Sequence, residues 1–213
     1  MKLFWLTKLV CIFTVLNLGA IPAYSQNPAN MSEITVNKRP LIDFSGSLRA
    51  KLNSSDVDLE GDFLVDIHGS LDEHGRIDPS TVKMSTTGDP VVVDIVVRAI
   101  EAVNSSGYFQ YLGSLGTESL TLVVAQDSTD FTAVIRTELL TEIRARSVRL
   151  MLETVIDASK KKKKNEPEST NAKYDLMVLN SIGVTTDNNV LEIQAKMPKK
   201  DFHEMLTYTM GEN

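Results

Sequence analysis

"FTAVIRTELLTEIRARSVRLMLETVIDA", residues 131–158, decides how the rest of the chain is put together. It contains neither proline nor glycine. Phe131, Ile135, Leu139, Ile143, Met151 and Val155 recur at helical spacing, and Val134, Leu140, Val148 and Leu152 widen the stripe. Arg136, Glu142, Arg146 and Arg149 fill the remaining face. The pattern predicts one long amphipathic helix over 128–160. A stripe this wide gains its stability by packing, so the helix is expected to dock on a sheet rather than bridge two domains as a free rod.

Upstream, "GDPVVVDIVVRAIEAVNSSG" (88–107) has the composition of a buried strand. Asp89-Pro90 argues otherwise: an N-cap carboxylate precedes a proline whose fixed φ suits the first helical position. A helix gathers Asp94, Arg98 and Glu101 on one face and Val92, Val96, Ala99, Ile100 and Val103 on the other. A strand would bury some of those charges without partners. The segment is predicted to be helical.

Ahead of it, Val57, Leu59, Phe63, Val65 and Ile67 alternate with Asp58, Glu60, Asp62, Asp66 and His68, the period of a half-buried strand. "DEHG" (72–75) reads as a turn, and Thr81–Ser85 as a second strand with Val82 and Met84 inward. "SLTLVVAQ" (119–126) gives a third, with Leu120, Leu122 and Val124 on one face. In "FSGSLRAKLNSS" (44–55) Leu48 and Leu52 suit a short helix, the preferred reading, while Leu48, Ala50 and Leu52 also alternate as in a strand.

Downstream, "KKKKK" (160–164) and "NEPESTN" form a charged, proline-broken loop over 161–172. "YDLMVLNSIG" reads as a helix, "GVTTDNNVLEIQAKM" as a hairpin turning at Asp187-Asn188-Asn189, and Pro198 opens a terminal helix with Phe202, Met205 and Leu206 inward. The expected fold is α+β: a β-β-α-β module with a small antiparallel sheet (41–127), the long helix, then an α-β-β-α module (173–213).

The first 25 residues read as a cleavable signal peptide. Lys2 and Lys8 precede an apolar run from Leu9 to Ile21, and Ala23-Tyr24-Ser25 fits small-x-small cleavage before Gln26. The alternative is a retained anchor over residues 3–23. Residues 26–40 read as a polar, mobile leader. The only cysteine, Cys11, lies in the signal segment, so the mature chain is expected to be without disulfide or thiolate chemistry; no other segment approaches membrane-spanning length, so it is expected to be soluble.

A net charge of −6 argues against a nucleic-acid partner. His68, His74 and His203 lack metal-ligand spacing. Asp58, Glu60, Asp62 and Asp66 lack the glycine-interrupted loop of a calcium site. No G-x-S-x-G elbow occurs, and "GSLG" (113–116) lacks the Lys-Ser/Thr of a phosphate cradle. No catalytic residue, cofactor or metal site is expected. Lys160, Lys161, Lys162, Lys163 and Lys164 stand out as a contact for an anionic surface, set against a solvated helix end whose dipole favours cations.

"GDFLVDIHGSLDEHGRIDPSTVKMSTTGDPVVVDIVVRAIEAV" (61–103) resembles the C-terminal domain of the TonB family of periplasmic energy transducers. Gly61, Gly75, Ser85 and Gly88 stand at matching places, and about 70 residues are covered. The family's Tyr-Pro start, its aromatic-x-Pro signature after the helix and its proline-rich spacer are missing. The resemblance therefore implies the fold and an interaction role more than energy transduction. It implies a non-enzymatic periplasmic protein that binds envelope proteins by adding an extended segment to a sheet edge. The alternative is a carrier of an apolar ligand or lipid held between the long helix and the sheets.

Overall fold

The computed structural model describes residues 36–54, 59–165 and 170–211, and it splits the deciding stretch in two. Asp130–Glu138 is a strand, and the helix starts only at Glu142 and runs to Lys164. The expected helix over 128–160 is therefore corrected. Phe131, Ile135 and Leu139 are four apart, and a spacing of four satisfies the period of two as well as that of 3.6. The β-branched Thr132, Val134, Ile135 and Thr137 then favour the strand, burying Phe131, Ala133, Ile135 and Thr137. Thr141 opens the helix, its hydroxyl accepting from the Arg144 N–H at 3.2 Å.

In chain order the elements are α1 (Arg39–Ser54), β1 (Phe63–Ser70), β2 (Lys83–Gly88), α2 (Pro90–Ser105), α3 (Gln110–Ser114), β3 (Ser119–Gln126), β4 (Asp130–Glu138), α4 (Glu142–Lys164), α5 (Thr170–Ser181), β5 (Ile182–Asp187), β6 (Val190–Pro198) and α6 (Lys199–Gly211). The class is α+β, as the sequence implies. Asp89 caps α2, its carboxylate accepting from the Val91 and Val92 N–H groups at 2.7 and 3.2 Å. Such a cap contributes about 1 kcal/mol.

All six strands join one antiparallel sheet in the order β2-β1-β3-β4-β6-β5. The expected boundary at 127/128 falls in the tight turn between β3 and β4. There the Asp127 carboxylate accepts from the Thr129 and Asp130 N–H groups at 2.7 and 2.8 Å. The Thr129 N–H, then the Asp130 N–H and the Thr129 hydroxyl, hold the Asp127 pKa down to about 2. The first module and the extension thus share a sheet, and β4 pairs with both β3 and β6.

One face of that sheet carries the core. Phe63, Val65, Ile67, Leu120, Leu122, Ile135, Leu191, Ile193 and Met197 all point to the helix layer. From α4 come Ala145, Val148, Leu152 and Ile156, the larger of them contributing about 1.5–3 kcal/mol each. Phe131 stacks on Phe202 of α6 with ring centroids 3.8 Å apart. Leu64, Val123 and Val134 alternate onto the opposite face, outside this core.

Several boundaries shift. The helix α1 begins at Arg39, inside the expected leader. Val36 packs on the core and the Asn37 N–H donates to the Ser106 carbonyl at 3.0 Å, so the end of the leader is docked. Strand β1 begins at Phe63 rather than Val57; Val57 and Asp58 lie outside the described residues. In α2, Ile95 and Ala102 join Val92, Ala99 and Val103 in the core, while Val96 and Ile100 are only half-buried. The lysine run 160–164 is the last turn of α4 and not a loop, because α4 continues to Asn165 before it is capped. Residues 166–169 lie outside the described residues.

Candidate functional site

Strand β2 is fixed at both ends. A single turn, Pro79–Thr81, delivers it, and Asp78 caps that turn by accepting from the Ser80 hydroxyl at 2.8 Å and the Ser80 N–H at 2.9 Å. The Ser80 hydroxyl first, then its N–H, holds the Asp78 carboxyl below the usual range. The Asp78 N–H donates to the Ser70 carbonyl, and the Ser70 N–H to the Thr81 hydroxyl, both at 2.9 Å. At the far end Gly88 has φ +106°, and a Cβ there would stand 2.3 Å from the Asp62 carbonyl oxygen. Only glycine lets β2 turn so closely over β1 into the Asp89 cap.

Between these anchors all six residues of β2 are exposed. The register sets Met84 and Thr86 opposite Ile67 and Val65, on the side the helices cover. Met84 is nevertheless 54% exposed, so the helix layer does not bury it. The expected strand Thr81–Ser85 shifts to Lys83–Gly88; Met84 keeps the inward direction but stays exposed, as does Val82 ahead of the strand, because β2 lies at the rim. Its pattern matches a half-buried strand, but among the described residues α2 meets it without burying any of its side chains.

Among the described residues β2 pairs with β1 alone. Its outer side presents a row of backbone donors and acceptors that an extended segment can meet. The edge is short and carries Lys83, features that restrain indiscriminate pairing. What the arrangement can do chemically is main-chain recognition.

The other candidates are scattered. His68 lies on the open sheet face, 3.0 Å from the Thr121 hydroxyl; His74 is exposed beside Glu73; His203 on α6 is half-buried, 2.9 Å from the Gln126 side-chain oxygen. Glu60 and Asp62 precede β1, where Lys199 donates to the Glu60 carbonyl and stands 3.8 Å from Asp62. Asp66 is half-buried in β1. Among the described residues no three His, Cys, Asp or Glu side chains gather as a metal cluster would require. In "GSLG" the Leu115 carbonyl accepts from Arg144 Nε at 2.8 Å, a tie to the start of α4.

Of the lysine run, Lys163 pairs with Asp175 of α5 at 3.1 Å, Lys160 is half-buried, and Lys161, Lys162 and Lys164 are exposed. An open groove of about 510 Å³ runs between α4 and β5, lined by Arg146, Arg149, Val184, Thr185 and Thr186. Ser25 and Gln26 lie outside the described residues. Among the described residues no helix is long and apolar enough to cross a membrane.

Gln126 escapes a reading based on apolar pattern. Its buried amide donates to the Leu59 and Gly61 carbonyls, both at 2.9 Å, and its oxygen meets His203. It ties the chain entering β1 to the end of β3 and to α6. The available signal is its phase: Gln126 continues the inward register of Leu120, Leu122 and Val124, and an amide placed there needs partners.

No protein-family model matches this chain, and comparison with curated proteins and with solved structures likewise finds no match.

Proposed function

We propose that the protein is a non-enzymatic, TonB-like periplasmic protein that takes an extended segment of an envelope partner onto the outer edge of β2. The observation that carries this reading is a strand anchored at both ends yet exposed along its whole length. The first module runs β-β-α-β, and such a unit has two edges, β2 and β3. Here β4 already occupies the edge of β3, so within the first module the open edge is β2, which supports the reading. The reading requires no cofactor, and export through the signal segment brings the chain to its partner.

The carrier alternative would place an apolar ligand between α4 and the sheet, beside the Val148, Leu152 and Ile156 that pack there. Photo-reactive side chains placed at Ser85 and, as a control, at Thr185 of β5 test the proposal in intact envelopes. A discrete protein adduct at Ser85 that is absent at Thr185 is expected. Equal labelling at both positions, or lipid as the sole adduct, would contradict it.

A further inference from the structure

The helix α4 holds eight basic and three acidic side chains in a chain whose net charge is −6, so positive charge is concentrated on this one element. Its inner stripe, Ala145, Val148, Leu152 and Ile156, is spent on the core. At 100° per residue the opposite ridge runs through Ile143, Ser147, Leu150, Thr154 and Lys161, about 27 Å from end to end. Ile143 and Leu150 are 78% and 55% exposed, and Leu140, just before the helix, is 70% exposed. Arg144 and Arg146 flank the apolar end; Lys162 and Lys164 flank the other.

Large aliphatics standing free beside clustered arginines and lysines make an amphipathic surface of the kind that lies on a bilayer. We infer that the outer ridge of α4 is a peripheral docking surface for an anionic lipid bilayer. Leu140, Ile143 and Leu150 enter the headgroup boundary, while Lys161, Lys162 and Lys164 meet the lipid phosphates. Two observations favour a bilayer over an acidic protein. Lysine is depleted in protein interfaces but well suited to headgroups, and the ridge carries no aromatic side chain of the type that anchors protein contacts.

Two of the acidic members of α4 are taken up by its arginines, which leaves Lys161, Lys162 and Lys164 as its exposed positive charge. Glu142 and Glu153 pair with Arg146 and Arg149, toward the groove beside β5, and only Asp157 sits near the ridge. The inference does not depend on strand addition at β2, which lies at the other edge of the sheet.

Flotation of the full chain with vesicles of phosphatidylcholine, with and without phosphatidylglycerol, is the test. The variants are compared at vesicle concentrations where flotation of the wild type is incomplete, so that any constant contribution from the first residues adds equally to each. The wild type should prefer the anionic vesicles, and salt should weaken that preference. Lys161→Glu/Lys162→Glu/Lys164→Glu should lower the preference by tenfold or more, since each cation near such a surface is worth about a fivefold change. Ile143→Ser/Leu150→Ser should weaken binding to the anionic vesicles without abolishing its salt dependence. All five positions face outward, so both variants should stay folded, the triple glutamate melting slightly lower because its acidic side chains oppose the dipole at the end of α4. Unchanged flotation of both variants would overturn the inference. So would a wild type that ignores phosphatidylglycerol, and an acidic protein would then be the partner to seek.

Discussion

The two edges of the sheet are built differently. Strand β5 sends Ile182 and Val184 into the core beneath α4, so its place is secured by burial. Strand β2 sends nothing there and is held by its ladder to β1, the Asp78 turn and the Gly88–Asp89 junction. One edge belongs to the core and the other is only attached to it. A strand that contributes so little burial can change its outer partner at small cost to the fold.

The largest effect that separates the two kinds of strand comes from side-chain removal. Ile135→Ala, in the buried middle of β4, should cost about 2–5 kcal/mol by chemical denaturation. Met84→Ala in β2 should stay within about 0.5 kcal/mol. Comparable losses would mean that β2 is part of the core after all.

Gln126→Ala should cost about 1–3 kcal/mol, because it strips the Leu59 and Gly61 carbonyls of their donor. Proteolysis should then cut first in the segment ahead of β1. A silent substitution would remove Gln126 from any role in holding the first module to α6.

The smallest effect is a pH signature at the β3–β4 turn. Because the folded pKa of Asp127 is depressed, its stabilisation is full above the unfolded value of about 3.9. It is lost as pH falls through about 2. Asp127→Asn keeps an oxygen acceptor but cannot titrate, so the acid limb of its stability profile should be shallower than that of the wild type. Parallel acid limbs would show that this turn does not couple the two halves of the sheet through its charge.

Much of this architecture is legible in residue order. The Asp89-Pro90 start of α2, the Asp187–Asn189 hairpin and the inward Phe202, Met205 and Leu206 of α6 all follow from local signals that tertiary contacts reinforce. Residues 130–138 do not, because apolar residues four apart satisfy both periods and the pairing that chooses between them is long-range. That one ambiguity turns a continuous six-stranded sheet into two apparent modules. The exposure of β2 was hidden for a related reason. Alternation shows that a strand has two faces, but not whether it sits in the middle of a sheet or at its rim. Gln126 needed the position of α6, which no local pattern supplies.

The most direct test follows amide hydrogen exchange across Lys83–Gly88 and Ile182–Asp187 in the free chain and in the complex captured at Ser85. Strand addition should slow the outward-facing amides of β2 alone and leave β5 as it was. Exchange in β2 that is unchanged by a bound partner, or protection that appears at β5 instead, would contradict an accepting edge at β2.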